Sequence, residues 1–208
     1  MKKYIIFDFD GTLVDVLHIV EDIFKKIVKK YGYGDITDKE IESLRSMDAI
    51  EIIRSFKFPI WKIPKLSKAV RKQLAERANE TKPFKHIKEL LATLKSKGFK
   101  LAILTTNKKS TVKSILKINN INYFDAIESS GGIFNKSKYI IRFLKKNNLK
   151  NEDVVYIGDE IRDIKAAQDV GIEIIAVTWG LNKRDVLEKN NPDYLVDKPS
   201  QIFKVLTT

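Results

Sequence analysis

Four apolar residues, Tyr4-Ile5-Ile6-Phe7, run straight into Asp8-Phe9-Asp10-Gly11-Thr12-Leu13, and this junction constrains the chain more than any other stretch. The apolar run is β-prone and short enough to be a fully buried central strand. Gly11 breaks it and leaves Asp8 and Asp10 at the strand's C-terminal edge, which in open α/β sheets is where ligands bind. Two like charges one residue apart repel, so their pairing needs a reason. A divalent cation, or a shared nucleophile and acid/base task, supplies one. An Asp-Gly hairpin turn is the plainer alternative, but a long helical pattern follows instead of a second strand.

In that pattern Val16, Leu17, Val20, Ile23, Phe24, Ile27, Val28 and Tyr31 recur at helical spacing, and Gly32 and Gly34 end it. Residues 38–57 and 65–80 carry two or three more helical patterns, separated by Phe58-Pro59 and Ile63-Pro64. No strand-like run lies between 15 and 81. From Pro83 onward helices and strands alternate. Helices are expected over about 84–97, 110–118, 137–147 and 161–170. Strands are expected at Leu101–Leu104, near 124–127, at Val154–Ile157 and at Ile172–Val177, with a last strand–helix pair in the tail. Such alternation predicts right-handed crossovers and a doubly wound parallel sheet. Because Tyr4–Phe7 belongs to that sheet, residues 15–81 read as an all-helical unit inserted into an α/β core made of 1–14 and 82–208.

Composition narrows the function. Over 208 residues, 39 Lys and Arg face 27 Asp and Glu, a formal charge of +12. A nucleic-acid partner would account for that. The basic residues are spread over every expected helix, however, with 14 basic and 11 acidic side chains in 15–81. Weak attraction of anionic substrates is the reading that spread supports. No apolar run approaches the ~20 residues of a membrane span. Met1-Lys2-Lys3 mimics the start of a signal peptide, but Asp8 and Asp10 interrupt the apolar run that follows. Without Cys there are no disulfides, and a cytoplasmic protein is expected.

Polar residues end or follow four of the apolar strands: Asp8 and Asp10; Thr105-Thr106-Asn107; Lys136, after Gly131-Gly132 and at a helix start; and Asp159, Glu160 and Asp163, after Gly158. In a parallel sheet these ends face one edge and converge. The ordered set resembles the haloacid dehalogenase-like hydrolase superfamily, in its phosphoglycolate phosphatase-like branch, over essentially the whole chain. Its motifs are matched by Asp8-Phe9-Asp10-Gly11-Thr12, by Thr105, by Lys136, and by Gly158-Asp159 with Asp163. The helical insertion resembles that superfamily's helical cap.

The resemblance implies a Mg²⁺-dependent phosphatase acting on a small phosphorylated metabolite through an aspartyl-phosphate. Asp8 is the implied nucleophile and Asp10 the acid/base, which must be partly protonated near neutral pH. The carboxylates of Asp8 and Asp159 and the backbone carbonyl of Asp10 are the implied Mg²⁺ ligands, with Asp163 acting through water or on Asp159. Thr105 and Lys136 balance the transferring phosphoryl group, with Thr106 and Lys138 as alternatives at those two positions. The usual pattern around this Lys includes Pro, absent from Asn135-Lys136-Ser137-Lys138. Gly11, Thr106 and Asn107 are assigned to substrate, and Arg45 to a substrate carboxylate or second anion. Glu160 reads as outside the ligand set or solvent-exposed, His18 as a surface residue, and Trp61 as a packing anchor for the cap. Halide-displacing members lack the second Asp, so Asp10 favours phosphoryl transfer. A phosphomutase of the β-phosphoglucomutase type, or a nucleic-acid-binding or phospho-receiver module without turnover, are the competing readings.

Overall fold

A computed structural model describes residues 4–130 and 136–207. The elements, in chain order, are β1 (Tyr4–Phe7), β2 (Val14–Asp15), α1 (Leu17–Lys30), α2 (Asp38–Leu44), α3 (Ala49–Ser55), α4 (Ile63–Glu76), β3 (Lys82–Pro83), α5 (Ile87–Ser96) and β4 (Lys100–Thr105). They continue as α6 (Lys109–Ile118), β5 (Ala126–Ser129), α7 (Lys136–Lys146), β6 (Val154–Gly158), α8 (Ile161–Val170), β7 (Glu173–Val177), α9 (Arg184–Lys189), β8 (Tyr194–Val196) and α10 (Pro199–Thr207).

Six strands form one parallel sheet in the order β5-β4-β1-β6-β7-β8. β1 lies between β4 and β6, with Phe7 level with Ile103 on one side and Ile157 on the other. Its side chains alternate between two cores. Ile5 and Phe7 join Leu101, Ile103, Val155 and Ile157 on one face; Ile6 joins Ala102, Leu104 and Tyr156 on the other. A sheet covered on both faces needs apolar residues at every strand position, hence the unbroken apolar runs. From β1 the chain winds outward through β4 and β5, then crosses to build β6, β7 and β8 on the opposite side. The connections leaving β1 and β6 therefore diverge, opening a crevice at their C-terminal ends.

The insertion between β2 and β3 is helical. Capping boxes open α2 at Thr37/Glu40 and α3 at Asp48/Glu51, satisfying backbone donors that would otherwise be orphaned. Pro64 sits in the first turn of α4, where its missing N–H costs nothing. Phe24, Tyr31, Tyr33, Phe56 and Phe58 pack ring to ring, with centroids 5.3–5.8 Å apart. These rings anchor the insertion, and Trp61 does not: it is 79% exposed. The adjacent Ile63 takes the inward position and is buried. His18 is exposed, 3.9 Å from Glu80.

The two chain crossings into and out of the insertion pair with each other, Val14 opposite Pro83 and Asp15 opposite Lys82, antiparallel. Two-residue strands carry no periodicity, so the sequence reading did not anticipate them. The strand expected near 124–127 falls slightly later, at Ala126–Ser129. Among the described residues no helix is long and apolar enough to cross a membrane.

Candidate active site

Asp8 leaves β1 with its backbone N–H donating to Ile157 O at 2.8 Å, so the sheet ladder fixes where its side chain begins. The buried carboxylate accepts from the Phe9 N–H at Oδ1 and from Lys136 Nζ at Oδ2, both at 2.8 Å. Lys136, the first residue of α7, is buried and also donates to Asp163 Oδ1. It thus bridges an acid on β1 and an acid on α8. Burial works against its charge, but Asp163 and Asp8 outweigh it and hold the ammonium well above the usual lysine range. Its ammonium also stands 5.4 Å from the ring centre of Tyr156.

Asp10 is held by Asn107, whose Nδ2 donates to Asp10 Oδ2 at 2.7 Å; Asp10 Oδ1 is buried and accepts no hydrogen bond among the described residues. Burial first, and then the charge of Asp8, push the Asp10 pKa up to about 7. Asn107 is itself fixed: its N–H donates to Thr105 Oγ1 at 3.0 Å and its carbonyl accepts from Ser129 Oγ at 2.6 Å.

A third acid group comes from the loop after β6. Asp159 accepts from the Thr12 hydroxyl at 2.6 Å and from the Leu181 N–H at 2.7 Å. Burial, then the charges of Glu160, Asp163 and Asp8, raise its pKa well above the usual carboxylate value. Glycines admit this crowding. A Cβ on Gly11, whose φ is +79°, would lie 2.1 Å from Asp159 Oδ2, and one on Gly158 would lie 2.4 Å from Asp163 Oδ2. Asp163 also caps its own helix, accepting from the Glu160 N–H at 3.1 Å. Burial raises its pKa to about 6, against the pull of Lys136.

Acid outnumbers base here, with Asp8, Asp10, Asp159, Glu160 and Asp163 against Lys136 and Arg162. Asp8, Glu160 and Asp163 each offer a carboxylate oxygen, and these lie within 4.8 Å of one another. Such a set of hard oxygen donors fits a small divalent cation.

The structure brings Asp8, Asp10, Thr105, Lys136, Asp159 and Asp163 to one sheet edge. Asp159, expected among the metal ligands, accepts one bond on each oxygen, from Thr12 and Leu181, and keeps lone pairs for a cation; Glu160, expected outside the ligand set or exposed, is mostly buried and belongs to the acid cluster. The glutamate's position depends on the turn opening α8, which its place in the sequence does not reveal. Arg45, expected to meet a substrate carboxylate or second anion, donates from Nε and Nη2 to the carbonyls of Leu181 and Gly180 at 3.1 and 3.0 Å, latching the insertion to the loop after β7, and lines a cavity with Glu160. Gly11, expected at the substrate, gives its N–H to Val14 O at 2.9 Å and leaves the space that Asp159 occupies. Asn107 grips Asp10. Thr106 lines the cavity above the site, beside Asp10. Lys138 is exposed, while Lys136 is buried against Asp8. Gly131, Gly132 and Asn135 lie outside the described residues.

Sequence reasoning missed two groups. Thr12 holds Asp159, although it closes the first motif and was in plain view. Arg162 pairs with Glu160 beside the acids, and its place among three carboxylates was the available signal.

Residues 5–177 match the model of the haloacid dehalogenase-like hydrolase family. The chain belongs to that family. It is an enzyme of the family's phosphatase group. A phosphoglycolate phosphatase from Synechococcus elongatus is 32% identical over 204 residues, covering 98% of this chain and 96% of that protein. A putative pyrophosphatase from Caldanaerobacter subterraneus is 26% identical, over 97% and 93%. Among solved structures, a haloacid dehalogenase-like hydrolase from Streptococcus pneumoniae superposes with a TM-score of 0.80 at 28% identity, covering 99% of this chain and 98% of that one.

Proposed function

We propose that the protein hydrolyses a small phosphorylated metabolite through an aspartyl-phosphate on Asp8. The observation that carries this reading is the pairing of two differently held carboxylates at the end of β1: Asp8 on Lys136 and Asp10 on Asn107. One Asp8 oxygen attacks phosphorus while the bond to the leaving oxygen breaks, and Asp10 gives its proton to the departing alkoxide. Asp10 then takes a proton from water, which attacks the phosphoryl group, releases orthophosphate and restores Asp8. Lys136 counters the charge of Asp8, and Thr105 adds a hydroxyl at the same edge.

Mg²⁺ is the cation we assign to the acid cluster. Asp8, Glu160 and Asp163 would hold it, with Asp159 and the Asp10 carbonyl as further donors. When bound it would offset the repulsion between the acids and an anionic substrate. The helices of residues 15–81 would act as the cap that excludes water from the crevice.

Asp8→Asn should lower hydrolysis of an aryl phosphate by about three orders of magnitude or more while the circular dichroism spectrum is retained. Equal turnover by wild type and variant would sink the mechanism. Orthophosphate release from a sugar phosphate, as against an isomerised sugar, separates hydrolase from mutase. A panel of phosphorylated metabolites assayed with Mg²⁺ then selects the substrate.

A further inference from the structure

The insertion as a whole nearly balances its charge, with 14 basic and 11 acidic side chains in 15–81, but the two signs are segregated. Residues 52–75 hold seven Lys and Arg and no Asp or Glu, so every acid of the insertion lies outside that stretch. Within it stands Trp61, in the single turn Ile60–Lys62 between α3 and α4, with 79% of its surface exposed. Trp joins a large apolar face to one N–H donor, and it collects at interfaces where one side is apolar and the other wet.

The cations around it divide into those with a task and those without. Arg71 donates to Ser67 Oγ at 2.6 Å, the Lys62 ammonium lies 5.1 Å from the ring centre of Tyr31, and Lys72 is 3.6 Å from Glu76. Arg54, Lys57, Lys65 and Lys68 are exposed and have no carboxylate partner among the described residues. Earlier in the insertion, lysines do find acids: Lys25 pairs with Asp38 and Lys29 with Asp35. Lys65, Lys68 and Lys72 recur every three or four residues, on the side of α4 opposite the buried Ile63, Ser67 and Leu74. Trp61 therefore has free cations on both sides of it in the chain.

Like charges gathered without counter-charge repel, so this surface gains most from an anionic one. The aromatic decides which. A nucleic-acid strand is held by successive stacking aromatics along a basic groove. Here Phe56 and Phe58 are committed to the ring cluster, and Trp61 is the exposed aromatic of the stretch. One indole projecting among lysines matches a bilayer, whose interface takes up the ring while anionic headgroups meet the ammonium groups.

We propose that the Trp61 turn and the exposed side of α4 form a docking surface for an anionic lipid bilayer, on which the protein rests peripherally and reversibly. The proposal is independent of the phosphatase reading.

Sedimentation with vesicles tests it. Wild type should bind vesicles containing about one-third phosphatidylglycerol at least about tenfold more tightly than pure phosphatidylcholine, and high salt should remove most of that preference. Lys65→Glu with Lys68→Glu should weaken binding about tenfold or more, and Trp61→Ala about fivefold or more. Retained aryl phosphatase activity shows that these variants fold. The same charge change on α6, Lys113→Glu with Lys117→Glu, should cost no more than about twofold. The indole emission of wild type should move to shorter wavelength on the anionic vesicles, and that of Trp61→Phe should not. No binding to anionic vesicles, equal loss from both lysine pairs, or an emission shift retained in Trp61→Phe overturns the proposal. Tighter binding to a single-stranded oligonucleotide than to the vesicles, lost in the same variants, assigns the surface to nucleic acid and overturns it too.

Discussion

Asn107 and Asp10, 97 residues apart in the chain, meet in a 2.7 Å hydrogen bond from Nδ2 to Oδ2. It is the contact that orients the second carboxylate toward the crevice, because the other oxygen of Asp10 has no partner among the described residues. Asn107→Ala removes the only grip on that carboxylate among the described residues. A hydrogen bond to a charged group contributes about 1.5–3 kcal/mol, so kcat should fall roughly 10- to 100-fold with little change in KM. Steady-state kinetics on an aryl phosphate check this. A variant with wild-type kcat would remove Asn107 from the account.

Lys136 and Lys138 stand two residues apart and should behave oppositely. Replacing Lys136 by Met leaves Asp8 and Asp163 buried without their shared cation. Removing one partner of a buried ion pair typically costs about 3–5 kcal/mol, and activity should be lost as well. The exposed Lys138 should tolerate the same change to within about 0.5 kcal/mol. Urea unfolding of both variants, together with their aryl phosphatase rates, decides the matter. Equal losses at the two positions would contradict the structure.

The raised carboxylates give the metal-free protein a pH signature. Asp10 and Asp163 have pKa values pushed up to about 7 and about 6 by burial, against about 3.9 for an unfolded Asp. Each group binds its proton more tightly when folded. Its stabilising contribution is therefore complete below the unfolded value and is lost as pH rises through the folded one. With chelator present, the Tm should fall between pH 5 and pH 8. A cation competing for the same oxygens binds best once the protons have left, so added Mg²⁺ should raise the Tm more at pH 8 than at pH 6. Calorimetry with and without Mg²⁺ would show it, and a shift of equal size at both pH values would count against a cation at this cluster.

Much of the architecture could be read from local pattern. Four-residue apolar runs alternating with helical periodicity led to a parallel sheet, since period and run length are properties of neighbouring residues. The strand ends then marked the acids and Lys136 without any knowledge of contacts. What escaped were relationships with no local period: the two-residue strands pairing Val14 with Pro83, and the arginine latch from Arg45 to the carbonyls of Gly180 and Leu181. Trp61 shows the same limit, for a Pro-flanked aromatic looks like an anchor until Ile63 is found in the inward position.

By itself the sequence determined the class of fold, the family motifs and the sheet edge where the acids and Lys136 gather, because those follow from the order and spacing of residue types. Only the tertiary structure decided how each polar side chain is spent. It set Asp159 between Thr12 and Leu181, brought Glu160 into the acid cluster, and joined Arg45 to the carbonyls of Gly180 and Leu181. The reason is physical: hydrogen bonds and burial depend on which distant segments meet, and a residue's type states what it is able to bond, not what stands beside it.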